Sequence, residues 1–549
     1  MNHRLIALAL LALTLVWTSP ALGQSDRGAI TGVVTDQTGA VVATAKVTAT
    51  NLNTGEVREV TTSNEGNFTI PELKADPYRV TVEAQGFKSA TFEDVRVAVQ
   101  VTRTLDVTLE VGAISDVVTV TSDQAPVIQA NAPVRQTNVT ERQVKELPLL
   151  VSAETAGRTP LAFIFLDSNV TPAAGEGTNA SNFRVSGGQG LGTEILIDGA
   201  ATRRAQRGTF FSEVAPGPNA FQEFTISTSS FSAEFGSTSG GVVNFTFKSG
   251  GNEFHGEAYE IHRNRALNAN SFVNNAQGLP RLFDLQHDFG FNIGGPVYLP
   301  RFGEGGPTHI SLKNRTFFFF NYEGYRFNQT ETVNLSVPTE RMRVGDFSEL
   351  LTDPDVLSQF PGGVQIYSPI ARFDASGRPI GAAPGTRVAI PGNRIDQFRL
   401  PTGESIIDPV GLAILQNIPR PTRPGVFRNF STSSTRPTTM NNAIFKIDQI
   451  INDAQRLSFS YSFRKSSNVQ GGFPRFPRPL IAFGVWDQEF KSHFARLQHD
   501  WTFTPTLLNH FNAGFTRYDV VNANTTLGFN PFSLGIPGAS VIGGAFPSV

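Results

Sequence analysis

The 549-residue chain contains no cysteine. That absence excludes disulfide scaffolds, Cys-ligated zinc, thiol catalysis and a lipid-modified N-terminal cysteine. Charge is scarce as well. Asp, Glu, Lys and Arg make up 17% of the residues, and 45 basic against 47 acidic side chains leave a net charge of −2. A nucleic-acid binder carries a basic surplus, so no nucleic-acid partner is expected. Long apolar runs are missing: only residues 5–16 form one, which excludes a bundle of membrane helices. Tyr (8) and Trp (3) are few, yet Phe numbers 45 and hydrophobic residues reach 40%. A disordered chain is poorer in such residues, so this one must bury or otherwise shelter its aromatics.

The N-terminus carries an export address. Arg4 supplies a positive n-region, residues 5–16 (LIALALLALTLV) a twelve-residue apolar core, and Ala21-Leu22-Gly23 a small-x-small cleavage site. The core is short for a bilayer span, and Ser19-Pro20 breaks the helix after it. Residues 1–23 are therefore expected to be a signal peptide, with Gln24 the new N-terminus.

Residues 28–111 alternate with period two. Tyr78, Val80 and Val82 alternate with Arg79, Thr81 and Glu83, and Leu105, Val107 and Leu109 with Asp106, Thr108 and Glu110. About seven short strands separated by turns such as Asp36-Gln37-Thr38-Gly39 and Asn64-Glu65-Gly66 predict a small β-sandwich. The order GVVTDQTGAVV, AKVTATNLNTGE, TTSNEGNFTIPEL, PYRVTVEAQGF resembles the carboxypeptidase regulatory-like domain, a transthyretin-like sandwich of the carbohydrate-binding-like fold. Ala75-Asp76-Pro77 departs from the family, which has a Gly before the Tyr. The resemblance implies a non-catalytic module that serves as a spacer or binds glycan.

Residues 112–250 carry three ordered motifs: Ile195-Leu196-Ile197-Asp198-Gly199, Ser232-Ala233-Glu234-Phe235-Gly236, and the run KSGGNEFHG over 248–256. Together they resemble the plug of TonB-dependent outer-membrane receptors of the Oar-like branch. The resemblance implies a mixed α/β plug rich in Gly and Ser, packed inside a barrel. Asp116, Val117, Val118, Thr119, Val120 and Thr121 resemble a TonB box, an extended β-branched segment that adds a strand to the periplasmic TonB protein. The other reading of these six residues is an ordinary strand joining sandwich to plug. Arg203, Arg204 and Arg207 follow the Asp198-Gly199 turn. They could meet an anionic ligand at the plug apex or pair with carboxylates of the barrel wall, and the wall pairing is favoured.

Residues 251–549 have an outer-membrane barrel signature. Leu457, Phe459, Tyr461 and Phe463 alternate with Arg456, Ser458, Ser460, Ser462 and Arg464, giving one apolar and one polar face. Phe289, Phe291 and Ile293 repeat the pattern, as do Phe511, Ala513 and Phe515. Four consecutive Phe at 317–320 fit an interface girdle or a plug contact. Residues 331–440 hold 13 of the 34 Pro, which predicts a long extracellular loop rather than central strands. About eight to ten strands can be counted, against about twenty-two in the receptor family. The chain also ends on Pro547-Ser548-Val549, without the terminal aromatic residue that the family's barrels carry. The expected fold is thus mainly β: sandwich, mixed α/β plug and a partial antiparallel transmembrane barrel whose C-terminal part is missing.

No enzyme chemistry can be argued. His493 and His499 lie six apart, which matches no zinc spacing, and Gly187-Gly188-Gln189-Gly190-Leu191-Gly192 lacks the Lys of a phosphate loop. No metal, catalytic residue or cofactor is expected. The resemblance implies a TonB-dependent transporter in the outer membrane of a Gram-negative-type bacterium. It would bind a siderophore, oligosaccharide or peptide and import it by plug gating. The alternative is a surface binding or adhesion protein that uses the sandwich and long loops, anchored by the barrel in outer-membrane lipid.

Overall fold

The computed structural model describes residues 27–535 except 100, 113–116, 122–134, 148–150, 153–156, 159, 173–182, 191, 203–215, 230–234, 237, 277, 279, 303–307, 369–386, 401–402, 471–485, 505–506 and 525–534. The signal-peptide residues and Asp116 lie outside this set.

The sandwich comprises β1 (Gly28–Asp36), β2 (Lys46–Asn51), β3 (Val57–Thr61), β4 (Asn67–Leu73), β5 (Pro77–Glu83), β6 (Ser89–Arg96), β7 (Thr102–Thr104) and β8 (Val107–Leu109). One sheet has the order β4-β1-β7, with β8 also on β1; the other begins β3-β2-β5-β6. Their inward residues, among them Ile30, Val47, Phe68, Tyr78, Val80 and Leu109, form one core. The period-two reading holds here because each sheet has one wet and one buried face.

A ninth strand, β9 (Val117–Thr121), pairs parallel to β6, from Ser89↔Val117 to Glu93↔Thr121. It completes the edge of the second sheet. Residues 117–121, placed with the plug on sequence, therefore bond to the sandwich.

The sheet of the region expected to be the plug has the order β10-β13-β14-β11-β12, where β10 is Arg135–Thr140, β11 Glu194–Ile197, β12 Ala200–Ala201, β13 Phe221–Ser229 and β14 Val242–Phe247. The β11/β14 pair is parallel and the other pairs are antiparallel, so the sheet is mixed. Helix α1 (Glu141–Glu146) starts at a capping box between Thr140 and Gln143. The plug core contains Ile195, Ile197, Phe224 and Phe245, and it includes Ile444 of the barrel wall.

The wall is an antiparallel meander of seven strands among the described residues: β15 (His255–Asn264), β16 (Asp284–Pro296), β17 (Thr316–Leu335), β18 (Phe430–Asn452), β19 (Gln455–Gln470), β20 (Trp486–Thr504) and β21 (Leu507–Asn524). The sheet is not closed. With a short hairpin of Tyr298–Pro300 and His309–Ser311, the described residues of 251–549 hold nine strands, within the eight to ten counted on sequence, and β17, β18, β20 and β21 run 18 to 23 residues. That is about twice the 9–11 residues a bilayer crossing needs. The Pro-rich connection is correspondingly shorter than 331–440: both of its ends are strand, and it spans 336–429. Pro437 is tolerated inside β18 because β19 pairs only from Thr439 onward, so β18 has one free edge there.

The wall inverts the rule for soluble sheets. On β19 the polar residues Ser458, Ser460, Ser462 and Arg464 are buried, whereas Phe459 and Tyr461 are each 37% exposed. The polar face meets plug and sandwich; the apolar face points outward. The four-Phe run splits between the two: Phe317 and Phe319 are buried inward, and Phe318 and Phe320 alternate outward. Phe320 joins Phe291 and Tyr322 in an outer aromatic cluster with ring separations of 5.7 and 6.2 Å. An outward aliphatic and aromatic surface over a polar interior is what lipid requires.

Candidate functional site: the plug latch and the sandwich seat

Asp198 ends β11 and starts the turn to β12. Its φ of 45° and the 71° of Gly199 put both in the left-handed region, which Asp and Gly tolerate best. The turn aims the Asp198 carboxylate and carbonyl at the wall. Oδ1 accepts the Phe247 N–H at 3.0 Å, Oδ2 accepts the Ser460 hydroxyl at 3.0 Å, and Lys446 Nζ lies 3.4 Å from Oδ1. The carbonyl oxygen accepts Gln498 Nε2 at 2.7 Å and Asn512 Nδ2 at 3.1 Å. Arg496 donates to the Ile197 carbonyl at 3.3 Å. Four wall strands, β18 to β21, thus converge on one turn of the plug.

The wall approaches that turn closely. A Cβ on Gly514 of β21 would sit 2.9 Å from Ala200 Cβ and 3.2 Å from Arg496 Nη1, so only glycine lets β21 and β12 come this near. Elsewhere Lys145 of α1 pairs with Glu257 of β15 at 2.8 Å, and Glu323 Oε1 of β17 accepts the Asn219 N–H at 3.2 Å.

The sandwich has its own seat, at the end of the wall where the tight β18–β19 turn lies. Arg27 pairs with Asp500 at 2.8 Å, Lys74 with Asp448 at 3.1 Å, and Glu56 with Arg456. His510 Nδ1 lies 2.5 Å from Asp500. A polar cavity lined by Arg27, Lys74, Gln222, Lys446, Asp448 and Gln498 marks the junction of sandwich, plug and wall. The KSGGNEFHG run is a joint of the same kind: Asn252 donates its backbone N–H to the Asn53 carbonyl at 2.8 Å and accepts the Asn314 N–H at 2.8 Å. Sandwich and plug meet where Glu223 accepts the Val99 N–H. Burial pushes the Glu223 carboxyl up to about 7, with Asp76 adding to the shift and the Val99 N–H opposing it.

Of the residues singled out on sequence, Val117 to Thr121 form β9 on the sandwich edge. Asp116, Arg203, Arg204 and Arg207 lie outside the described residues. The cations that do reach the plug come from the wall, as Lys446 and Arg496. Sequence reading missed them; the only hint was that they occupy the polar phase of alternating strands. His493 and His499 point outward from β20 and do not share a site; His493 bonds the Tyr461 hydroxyl at 2.7 Å. Gly187 lies in the turn after Phe183–Val185.

The family model described as outer membrane beta barrel domain matches residues 246–549, more than half of the chain. The chain belongs to the outer membrane beta barrel family. The carboxypeptidase regulatory-like domain model matches residues 29–110, as the strand pattern implied. Among curated proteins, the TonB-dependent transporter Oar of Myxococcus xanthus is 26% identical over 365 residues, covering 64% of this chain and 32% of Oar. The chain thus spans about a third of that relative's length. Among solved structures, the ferric enterobactin receptor of Pseudomonas aeruginosa matches 72% of this chain and 42% of its own at 11% identity and a TM-score of 0.36. The outer membrane transporter YddB of Escherichia coli matches 69% and 38% at 9% identity and a TM-score of 0.37. Oar is described as a TonB-dependent transporter.

Proposed function

We propose that this family member works as a TonB-dependent outer-membrane transporter, importing a small external ligand by displacing the plug from the wall. The observation that carries the reading is the latch at Asp198, which is built from many hydrogen bonds of modest individual strength. Such a contact is specific in register yet separable when pulled, unlike a hydrophobic seam. The pull would come through residues 116–121. The backbone of 117–121 is extended and sits at a sheet edge, so it can leave β6 and add to a TonB edge strand instead. The outer membrane has no nucleotide supply, so work must arrive through such a contact. The cargo class is a siderophore, oligosaccharide or peptide, bound by the long connections and the plug apex. The sandwich sits at the tight-turn end, opposite the long connections, which favours a periplasmic role for it over surface adhesion.

The test is uptake, in cells, of a panel of ferric siderophores, oligosaccharides and peptides by the wild type and by Val118→Pro. A proline removes a strand N–H and should abolish TonB-driven uptake while leaving surface binding intact. Undiminished uptake by the proline variant would overturn the reading.

A further inference from the structure

We propose that Glu260, His262 and His287 form a transition-metal site on the outer face of the wall, at the end from which the long connections leave. His262 of β15 and His287 of β16 are direct cross-strand partners, and their ring centroids lie 4.5 Å apart. Glu260 stands two residues before His262, on the same strand face. Its Oε1 lies 2.7 Å from His287 Nδ1. One ligand atom from each residue falls within 4.8 Å of the other two. Small rotamer changes bring that set to the spacing of a tetrahedral ion. The 25-residue sequence separation hides the trio; only the register assembles it.

Two imidazoles and one carboxylate suit Zn²⁺, Co²⁺, Ni²⁺ or Cu²⁺, whereas Mg²⁺ and Ca²⁺ prefer all-oxygen sites. Three protein ligands leave a fourth position for water or an external donor. The neighbouring cations are turned away. Arg326, opposite His287 on β17, donates to the Met440 carbonyl at 2.6 Å and to Asn441 at 2.7 Å. Arg263 pairs with Asp284 at 3.0 Å. The other carboxylate–His gathering, Glu72, Asp500 and His510, differs in this respect: Arg27 already neutralises Asp500 at 2.8 Å. Because β15 is an edge strand of the sheet, a metal across β15 and β16 would staple that edge. The site is independent of the transport reading.

The experiment uses the full chain extracted from the outer membrane, without a polyhistidine tag, titrated with Co²⁺ and then Zn²⁺. One equivalent of Co²⁺ should bind with the absorption bands of a tetrahedral ion, and Zn²⁺ should displace it. Binding should weaken in acid, because the ligating nitrogens must be unprotonated to hold the ion. His262→Ala and His287→Ala should each lose more than the roughly 10–100-fold that an outer-shell partner costs. His493→Ala, elsewhere on the outer face, should bind like wild type. If an alanine variant fails to fold, Glu260→Gln, which keeps size and hydrogen bonding, carries the test and should weaken Co²⁺ binding. No saturable binding, or binding indifferent to the folded variants, overturns the proposal.

Discussion

Replacing Asp198 by Asn separates the latch from the fold that presents it. Asn tolerates the φ of 45° nearly as well as Asp, so the turn should survive. The backbone carbonyl keeps Gln498 and Asn512. The loss is the carboxylate's charge towards Lys446 and the Oδ2 acceptor for Ser460, while the amide oxygen can still accept the Phe247 N–H. Lys446 is only 5% exposed, so its charge stays buried. Removing one partner of a buried pair costs about 3–5 kcal/mol. The 3.4 Å separation and the hydrogen bonding that Asn retains place this case just below that range, at about 2–3 kcal/mol. The assay is urea-dependent proteolysis of the plug in the assembled protein, with the wall followed separately. Asp198→Asn should lower the plug midpoint and leave the wall midpoint in place. Adding Lys446→Met should recover part of the loss, giving a coupling above about 1 kcal/mol in a double-mutant cycle. A single-variant cost below about 0.5 kcal/mol, or strict additivity, would refute the idea that this contact holds the plug.

The other expectations concern the seat, the outer face and pH. The raised carboxyl of Glu223 favours the protonated form in the folded state, so its cost is absent below about pH 4.3 and grows as pH rises to about 7. Glu223→Gln should therefore gain about 3–4 kcal/mol at pH 8 and nothing at pH 4, read by thermal unfolding at both; a pH-independent change would contradict it. Arg27→Met removes one of the two partners of buried Asp500, leaving His510, and should loosen the sandwich by about 1–3 kcal/mol, seen as faster amide exchange in β1 and β4 with the wall unchanged. Phe459→Arg puts a cation on the lipid face and should cost about 2–4 kcal/mol of folding free energy in vesicles. Equal tolerance of Phe459→Arg and Phe459→Leu would mean that this face does not meet lipid.

Much of the architecture was legible because alternation is a local property. Leu457 to Phe463 announce a two-faced strand by themselves, and so do Tyr78 to Val82. Which face is buried is not local: β19 hides its serines and shows its phenylalanines, and only export and the Phe surplus argued for lipid in advance. Strand length was misjudged because strands were counted at the length of a bilayer crossing, whereas β18 runs well beyond it. The latch was half legible. The Ile195–Gly199 motif was visible, but Asp198 meets Lys446, Ser460, Gln498 and Asn512, which are 248 to 314 positions away. No pattern in a single sequence reports such pairings. Attention went instead to Arg203, Arg204 and Arg207, because charge clusters are conspicuous and isolated charges in serine-rich strands are not.

The central claim is that the plug must leave the wall for cargo to pass. The chain has no cysteine, so Ala200→Cys with Gly514→Cys introduces a single pair at one close plug–wall approach, where β12 and β21 need separate by only about 1 Å for a disulfide to form. The direct measurement is uptake of the panel ligand by this variant, oxidised and then reduced, with TonB binding followed in parallel. The account predicts that the oxidised form binds TonB but imports nothing, and that reductant restores import. Import through the oxidised, fully crosslinked form would contradict it.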